Sequence, residues 1–237
     1  MRKRLEEIGI IAAGIEGWLS EAQGRTLMRL AAAVRGRGAI VEIGSWKGRS
    51  TVWLAAGAKL ASQRVYAVDR HTGSREDPSA TTLHEFLDNI SRAGVADRIE
   101  PLVMSSAEAC EIVRGGVELL FIDGDHSFAG VQRDADMWLP RVVEGGVVLF
   151  HDVATAGYEG PRRIFRRRVC WSPEYAEIRR IGSMMMARRV RRRGVLSAAW
   201  GGVAGVLLYI FDAKQFSRRL RKRGGKQRDH DLVMPHQ

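Results

Sequence analysis

Cysteine is scarce in this chain of 237 residues, where only Cys110 and Cys170 are present. The sequence therefore lacks the disulfide framework that stabilises small secreted domains. Residues 1–4 are basic and precede an apolar stretch, but acidic residues interrupt that stretch and no clear cleavage site follows it, which argues against a secretory signal peptide. We expect a protein of a reducing compartment, the cytoplasm.

Acidic residues are few in the last third of the chain. Residues 160–237 hold 20 basic and 5 acidic residues, whereas residues 1–159 hold 18 basic and 22 acidic ones, within a net charge of +11. The composition, 45% hydrophobic, suits one large α/β domain with a basic tail. We divide the chain into N-terminal helices at 1–38, a catalytic domain at 39–190 and a basic C-terminal extension at 191–237. A capping box at Ser20 and Gln23 predicts that one of the first helices begins there.

The stretch 40–51 reads IVEIGSWKGRST: a β-branched apolar run with an acid, then a glycine turn and a helix start. Its spacing matches neither of the two common phosphate-binding glycine patterns. Gly44 and Gly48 let a ligand approach the backbone, and the free N–H groups of the helix start favour a carboxylate. Glu42 would repel phosphate and attract an ammonium group or a hydroxyl donor. The turn is therefore predicted to bind a zwitterionic, positively charged cofactor, unless it is only a tight turn of another α/β protein.

This stretch resembles the first motif of the class I S-adenosylmethionine-dependent methyltransferases. The resemblance implies a Rossmann-like α/β fold with a seven-stranded, mostly parallel sheet in the order 3-2-1-4-5-7-6. Pro101 supports this order, because it limits strand 99–103 to a sheet edge, which is the place of the third strand in the implied order. Strand 64–69 ends in Asp69, which can accept hydrogen bonds from ribose hydroxyls, or can act as a plain loop carboxylate.

Two helices are predicted next to these strands. Asp77 as N-cap and Pro78 in the first turn predict a helix that stops at Gly94. Ser105 forms a capping box with Glu108 at the start of the following helix. Ser106 stands where the family commonly contacts the adenine, although a purely structural role is equally open.

Ionisable residues follow two very apolar strands. Strand 117–122 leads into Asp123-Gly124-Asp125-His126, and strand 147–150 leads into His151-Asp152. Ligands bind at strand ends in open parallel sheets. Two carboxylates on one turn can face a hard cation and a substrate proton together. We therefore expect these side chains to form one site.

The stretch FIDGDHSF at 121–128, the helix 130–138, the Gly145-Gly146 pair and the His151-Asp152 pair sharpen the resemblance. Over roughly residues 39–187 the chain resembles the methyltransferases related to macrocin, rhamnosyl and cephalosporin-pathway enzymes. Carried over from the metal-dependent sugar O-methyltransferases of that group, the metal ligands are Asp123 and Asp152, and Asp125 is the base. His151 departs from the group, which has an acid there. An imidazole suits Mg²⁺ poorly, so Mn²⁺ is a second choice. Without a metal, His126 or His151 would be the base.

The activity implied by the resemblance is methyl transfer to a hydroxyl of a small molecule or a glycan-like acceptor. The expected ligands of S-adenosylmethionine are Glu42, Gly44, Ser45, Asp69, Ser106 and Asp123. A nucleic-acid methyltransferase is a lesser alternative, because the arginine runs contain few aromatic residues. A cofactor-binding module without catalysis is another.

An uncharged run of 18 residues at 194–211 lies between basic clusters. Its length is the lower limit for a bilayer span, and its glycines and flanking charges disfavour a span. We expect a helix that lies on an anionic membrane surface through residues 188–226. A docking or dimer helix and a true span are the alternatives, and homo-oligomerisation stays open.

Overall fold

The computed structural model describes residues 2–72, 81–191, 199, 201–208 and 210–211. Seven strands form one sheet, with helices on both faces. The strands are β1 (Ala39–Ile43), β2 (Val65–Asp69), β3 (Ile99–Val103), β4 (Val117–Ile122), β5 (Val142–Phe150), β6 (Tyr175–Ile181) and β7 (Met184–Arg189). The helices are α1 (Arg2–Ala13), α2 (Glu21–Ala32), α3 (Arg49–Leu60), α4 (Leu83–Arg92), α5 (Ser106–Ile112), α6 (Phe128–Trp138) and α7 (Glu159–Phe165).

The strand order is β3-β2-β1-β4-β5-β7-β6, which confirms the predicted order. The first five strands pair in parallel, and β7 pairs antiparallel with both β5 and β6. Strand β3 is an edge strand, as Pro101 predicted. The parallel arrangement places the ends of β1, β2, β4 and β5 along one side of the sheet. This is the side where the predicted site residues lie.

Alternate residues of each strand enter two separate cores. On one face, strand residues such as Ile40 and Phe121 pack with α1, α2 and α3. On the other face, Val41 and Ile122 pack with α5, α6 and α7. The three consecutive methionines follow the same alternation: Met184 and Met186 enter the first core, and Met185 enters the second.

The predicted capping box at the start of α2 is present. Ser20 accepts from Gln23 N at 3.4 Å, and Gln23 Oε1 accepts from Ser20 N at 2.8 Å. The helix then packs closely on α3. A side chain at Gly24 would overlap the Trp53 indole, so this glycine sets the distance between the two helices.

Helix α4 begins at Leu83 and Thr81 and Thr82 are not helical, so the predicted helix does not run on from Pro78. Asp77 and Pro78 themselves lie outside the described residues. Thr82 is held out of the helix by His71, whose carbonyl accepts from Thr82 N at 3.3 Å and whose Nδ1 lies 3.0 Å from Thr82 Oγ1. The sequence pattern does not reveal this contact between residues 11 positions apart. The predicted stop is correct, since the helix ends at Arg92 and Gly94 has a positive φ of 61°.

Residues 201–208 are helical, as are residues 199, 210 and 211. The rest of the predicted apolar helix 194–211 lies outside the described residues. Among the residues that the structure does describe, there is no helix with the length and apolar character that a bilayer span needs.

We predict that Gly57→Ala destabilises the fold. A Cβ at Gly57 would overlap the Met28 carbonyl oxygen and lie 2.8 Å from the Ala31 Cβ, so α2 and α3 would have to separate. Overpacking of this kind costs about 1–3 kcal/mol, which outweighs the roughly 1 kcal/mol that alanine gains over glycine within a helix. Urea unfolding measures the change in the free energy of unfolding.

The matched control is Gly202→Ala, also at a helical glycine. A Cβ at Gly202 meets no atom within 4 Å, so we expect unchanged or slightly increased stability. Equal effects of the two substitutions would contradict the helix packing described here.

Candidate active site

Backbone hydrogen bonds join the tips of four neighbouring strands one residue beyond their paired regions. They run from Gly44 N to Val68 O at 2.8 Å, from Asp123 N to Ile43 O at 2.8 Å and from His151 N to Ile122 O at 3.0 Å. Each bond fixes the first residue after a strand. The side chains that leave the sheet here are therefore held by the sheet itself and not by mobile loops.

The turn after β1 requires its glycines. Gly44 has φ 88°, and a Cβ there would collide with the backbone of Asp123 and Gly124. Gly48 also has φ 88° and is the N-cap of α3. Between them, Ser45 is buried, and its Oγ has no hydrogen-bond partner among the described atoms. An unpaired buried hydroxyl beside an open glycine turn fits a polar ligand.

Glu42 is completely buried at the end of β1. Its Oε2 accepts from Thr51 Oγ1 at 2.5 Å, while Oε1 has no partner among the described atoms. Burial raises the pKa of Glu42 to about 8, against the effect of hydrogen bonds from Ser50 and Thr51. The charges of Asp123 and Asp69 add to this rise. Glu42 is therefore protonated at neutral pH until a cationic ligand approaches it.

Asp69 binds the backbone of the glycine turn. Its Oδ2 accepts from Trp46 N at 2.8 Å, and its Oδ1 accepts from His71 N at 2.7 Å. Both residues have a positive φ, 43° at Trp46 and 52° at His71. Asp69 thus holds two strained positions, and its role toward a ribose stays a prediction.

Ser106 is the first residue of α5, and Ser105 forms the predicted capping box with Glu108. The Ser106 hydroxyl donates to Asp134 Oδ1 on α6. Burial raises the pKa of Asp134. The adenine contact of Ser106 stays a prediction, and the structure adds a bond that ties α5 to α6.

Four of the five predicted ionisable residues form one cluster. The two carboxylates are those of Asp123 and Asp152, and each approaches both imidazoles. His126 Nε2 lies 3.0 Å from Asp152 Oδ2 and 3.6 Å from Asp123 Oδ1. His151 Nδ1 lies 3.2 Å and 3.3 Å from the same two oxygens.

The pKa values in this cluster follow from its charges. Burial alone would lower the pKa of each imidazole, but Asp123 and Asp152 raise it to about 9 for His126 and about 10 for His151. Burial alone would raise the pKa of Asp152, but the two histidines and Thr155 hold it well below its usual range. Thr155 Oγ1 donates to Asp152 Oδ1 at 2.6 Å. Without a cation, the imidazoles carry the positive charge that the acids need, and their raised pKa values disfavour either of them as a base at neutral pH.

Asp123, His126 and Asp152 each offer one ligand atom, and these atoms lie within 4.8 Å of one another. His126 Nε2 is buried and has no well-directed hydrogen bond to a described atom, although both carboxylate oxygens are close. Two carboxylate oxygens and one imidazole nitrogen form a donor set for Mn²⁺ or a similar divalent cation. The residues therefore fit a metal, and His126 joins the two predicted ligands.

Asp125, the fifth predicted ionisable residue, does not belong to the cluster formed by the other four. Its Oδ1 accepts from Ser127 N at 2.8 Å, and its Oδ2 accepts from Ser127 Oγ at 2.9 Å. A Cβ at Gly130 would collide with this carboxylate, which therefore lies against the first turn of α6. Its predicted role as the base stays a prediction.

A hydrogen-bonded chain orients His151 from the far side of the sheet. Ser183 Oγ lies 3.3 Å from His151 Nε2, and Gln23 Nε2 donates to Ser183 Oγ at 2.8 Å. Gln23 is also the partner of Ser20 in the capping box of α2. The N-terminal helices therefore support the site, because partners of this kind determine which ring nitrogen carries the proton.

Four aromatic residues near the site were not among the predicted site residues. Trp18 stacks on Trp46 with ring centroids 5.0 Å apart, and Tyr158 stacks on His126 at 4.4 Å. His71 is buried, with an unpaired Nε2 among the described atoms, and burial lowers its pKa. Of these residues, only Trp46 could have been identified from the sequence, because it lies between the two glycines of the turn.

Comparisons with known proteins agree with this geometry. Residues 41–153 match the model of a family described as a methyltransferase domain. A catechol O-methyltransferase of Mycobacterium tuberculosis is 33% identical over 142 residues, which cover 59% of this chain and 58% of that protein. The chain therefore matches little more than half the length of this relative.

Solved structures share the fold. The O-methyltransferase from Bacillus cereus, in complex with SAH, has a TM-score of 0.59 at 23% identity, over 79% of this chain and 91% of that chain. The O-methyltransferase TomG from Streptomyces achromogenes, in complex with SAM, has a TM-score of 0.58 at 19% identity, over 79% and 90%. At these identities the likeness concerns the fold.

We predict that Glu42→Gln changes how stability depends on pH in the ligand-free protein. The carboxyl has a pKa of about 8 when folded and about 4.5 when unfolded. Between these values the folded state keeps a proton that the unfolded chain has lost, so the free energy of unfolding falls as pH rises. The loss is at most about 1.4 kcal/mol per pH unit. The variant lacks this loss, and its stability relative to wild type should increase from pH 5 to pH 8.

Urea unfolding at a series of pH values measures this difference. The control is Glu111→Gln, at an exposed carboxylate of α5, which should follow the wild-type profile. A constant difference between Glu42→Gln and wild type over this range would show that Glu42 is charged in the folded protein.

Proposed function

We propose, from the match of residues 41–153 to the model of a methyltransferase-domain family, that this protein is a class I S-adenosylmethionine-dependent methyltransferase that transfers a methyl group to a hydroxyl oxygen. One observation carries the proposal. A glycine turn with the unpaired buried atoms Glu42 Oε1 and Ser45 Oγ lies beside a cluster of two acids and two histidines. The first group suits a cationic nucleoside, and the second suits an ionising hydroxyl.

The cofactor would lie along the tips of β1, β2 and β4. We assign its binding to Glu42, Gly44, Ser45, Asp69, Ser106 and Asp123. The protonated Glu42 supports this assignment, because a neutral buried acid can become charged when an ammonium group approaches it. S-adenosylmethionine would supply a methyl group made electrophilic by its sulfonium charge.

We propose a divalent cation, Mn²⁺ or Mg²⁺, held by Asp123, Asp152 and His126. A cation there would lower the pKa of a bound hydroxyl. It would also replace the positive charge that the two imidazoles provide in its absence. The imidazole nitrogen favours Mn²⁺ over Mg²⁺, because Mg²⁺ prefers oxygen ligands.

The residues of the chain would orient the acceptor and receive its proton. The acceptor oxygen forms a bond to the methyl carbon while the carbon–sulfur bond breaks, and the electron pair of that bond remains on sulfur. The hydroxyl proton goes to a base, for which Asp125, His126 and His151 are the candidates. Asp125 is our first choice, because the pKa values of both imidazoles are raised by the neighbouring acids.

The acceptor is a small molecule in this proposal. The similarity to a catechol O-methyltransferase favours phenolic hydroxyls over the glycan or sugar hydroxyls that we also consider. Tyr158, stacked on His126 and partly exposed, offers an aromatic wall beside the cluster. We place the reaction in the cytoplasm, beside an anionic membrane surface, because of the strongly basic residues 160–237.

Calorimetric titration of the full chain with S-adenosylmethionine tests the cofactor. We expect saturable binding, at least about tenfold weaker in Asp69→Asn because hydrogen bonds to a charged group are lost. Asp136→Asn is the control, since this exposed acid on α6 pairs with Arg168 and should bind like wild type. If folded wild-type protein does not bind the cofactor, the proposal is wrong.

We predict that Asp152→Asn lowers the affinity for Mn²⁺ by at least about tenfold, because it removes the negative charge of one of three ligands. Titration with Mn²⁺ alone, without cofactor or acceptor, measures this affinity. Asp136→Asn again serves as control. Equal Mn²⁺ binding by wild type and Asp152→Asn would rule out this metal site and leave the cofactor assignment intact.

Methyl transfer is measured with a panel of catechols, simple phenols and sugars. Transfer to any of them supports the proposed reaction. Cofactor binding without transfer to any hydroxyl would favour a non-catalytic module. Salt-sensitive RNA binding with RNA methylation would favour the nucleic-acid alternative.

A further inference from the structure

The helical residues 201–208 attach to the body of the protein through one face. Ala204 and Leu208 are buried in the core formed with α5, α6 and α7. A Cβ at Gly205 would come within 2.5 Å of Trp171 Nε1, so this glycine lets the helix lie directly on the indole. Arg162 lies over the Phe211 ring at 4.7 Å. The helix therefore has a fixed inner side and a defined outer side.

The outer side is apolar and exposed. Val203, Val206, Leu207 and Ile210 keep 48%, 54%, 59% and 42% of their surface accessible. Their spacing of three, four and seven residues places them on one stripe of a helix. Soluble helices usually show polar residues on this side. We call these four residues the outer stripe.

Basic residues precede the helix, and one of them lies beside it. Trp171, under the helix, is itself 55% exposed, and Arg166 lies over its ring at 5.4 Å. Arg163 and Arg167 are exposed over the Phe128 ring, and the exposed Arg168 pairs with Asp136. Across residues 160–237, basic residues outnumber acidic ones by 20 to 5. An apolar stripe with an interfacial tryptophan and basic neighbours is typical of a helix lying in a bilayer interface.

Two other binding partners of the outer stripe, a second copy of the chain and a nucleic acid, explain these observations less well than a lipid bilayer. A second copy of the chain would bring the same positive charge to the contact. The outer stripe also offers only a few hundred Å², against roughly 800 Å² per partner in a standard interface. A nucleic acid would match the charge, but its phosphates would leave the apolar side chains uncovered. An anionic lipid bilayer matches both features.

We propose that the outer stripe lies in the surface of an anionic lipid bilayer, with Arg166 and the other basic residues near the helix on lipid phosphates and Trp171 at the headgroup level. The helix does not cross the bilayer, since its inner side is occupied by protein. The catalytic body would then work on acceptors held at or near the membrane. This inference does not depend on the identity of the reaction.

Flotation of the full chain with vesicles tests the proposal. One set contains phosphatidylcholine alone, and the other contains phosphatidylcholine with phosphatidylglycerol. We expect flotation with the anionic set, weakened by high salt because the charges are screened. The double variant Val206→Ser, Leu207→Ser should partition at least about tenfold less, since it removes the most exposed part of the stripe.

The matched control is Leu60→Ser, Ile112→Ser, which removes two equally exposed apolar side chains from α3 and α5 and should float like wild type. Circular dichroism and cofactor titration verify that both double variants are folded. Because both substituted positions are exposed, we expect both to fold. Val206→Glu alone gives a second, milder variant, and we expect it too to float less than wild type because it places within the stripe a charge that anionic lipids repel.

Three results would overturn the proposal. The first is flotation of the outer-stripe variants equal to wild type. The second is equal binding of wild type to neutral and anionic vesicles, or to neither. The third is a monomer–dimer equilibrium in sedimentation that the outer-stripe variant abolishes while vesicle binding is unchanged, which would identify a second copy as the occupant.

Discussion

Asp123 and Asp152, at the tips of neighbouring strands, must both be compensated by positive charge. Carboxylates removed from water are costly unless a cation or donors compensate them. In the structure two imidazoles meet this need, and each lies within 3.6 Å of both acids. The backbone bonds between strand tips hold Asp123 and His151 in place. The cluster is therefore arranged before any ligand arrives, which is the condition for an efficient site.

In the glycine turn beside this cluster, the buried acid has no positively charged partner. Glu42 is buried among other acids without a cation, and its pKa is raised so that it remains neutral. Glu42 lies on β1, Asp123 follows the adjacent strand β4, and Asp152 follows β5, the next strand in the sheet. The neutral Glu42 is suited to receive a cationic ligand, and the cluster around Asp123 and Asp152 is suited to ionise a hydroxyl.

The parts of the chain that are remote from the sheet edge also contribute. Gln23, in the N-terminal helices, reaches His151 through Ser183. The helical residues 201–208 are fixed to the sheet domain by Trp171 and the core around α7. Their exposed side therefore has a constant orientation relative to that domain, so contact at that side would also orient the domain.

The sequence by itself determined the edge position of β3 and the strands that supply the site residues, because buried strands, acids at their ends and Pro101 are local patterns. The sheet order was predicted from the resemblance to a methyltransferase family and not from these patterns. The sequence also determined that Asp123 and Asp152 come together. Only the tertiary structure decided that Asp125 lies against α6, that His126 lies with Asp123 and Asp152 as a third potential metal ligand and that α4 begins at Leu83. These outcomes depend on contacts such as those of His71 with Thr82 and of Tyr158 with His126, which join distant positions and leave no periodic signal in the sequence.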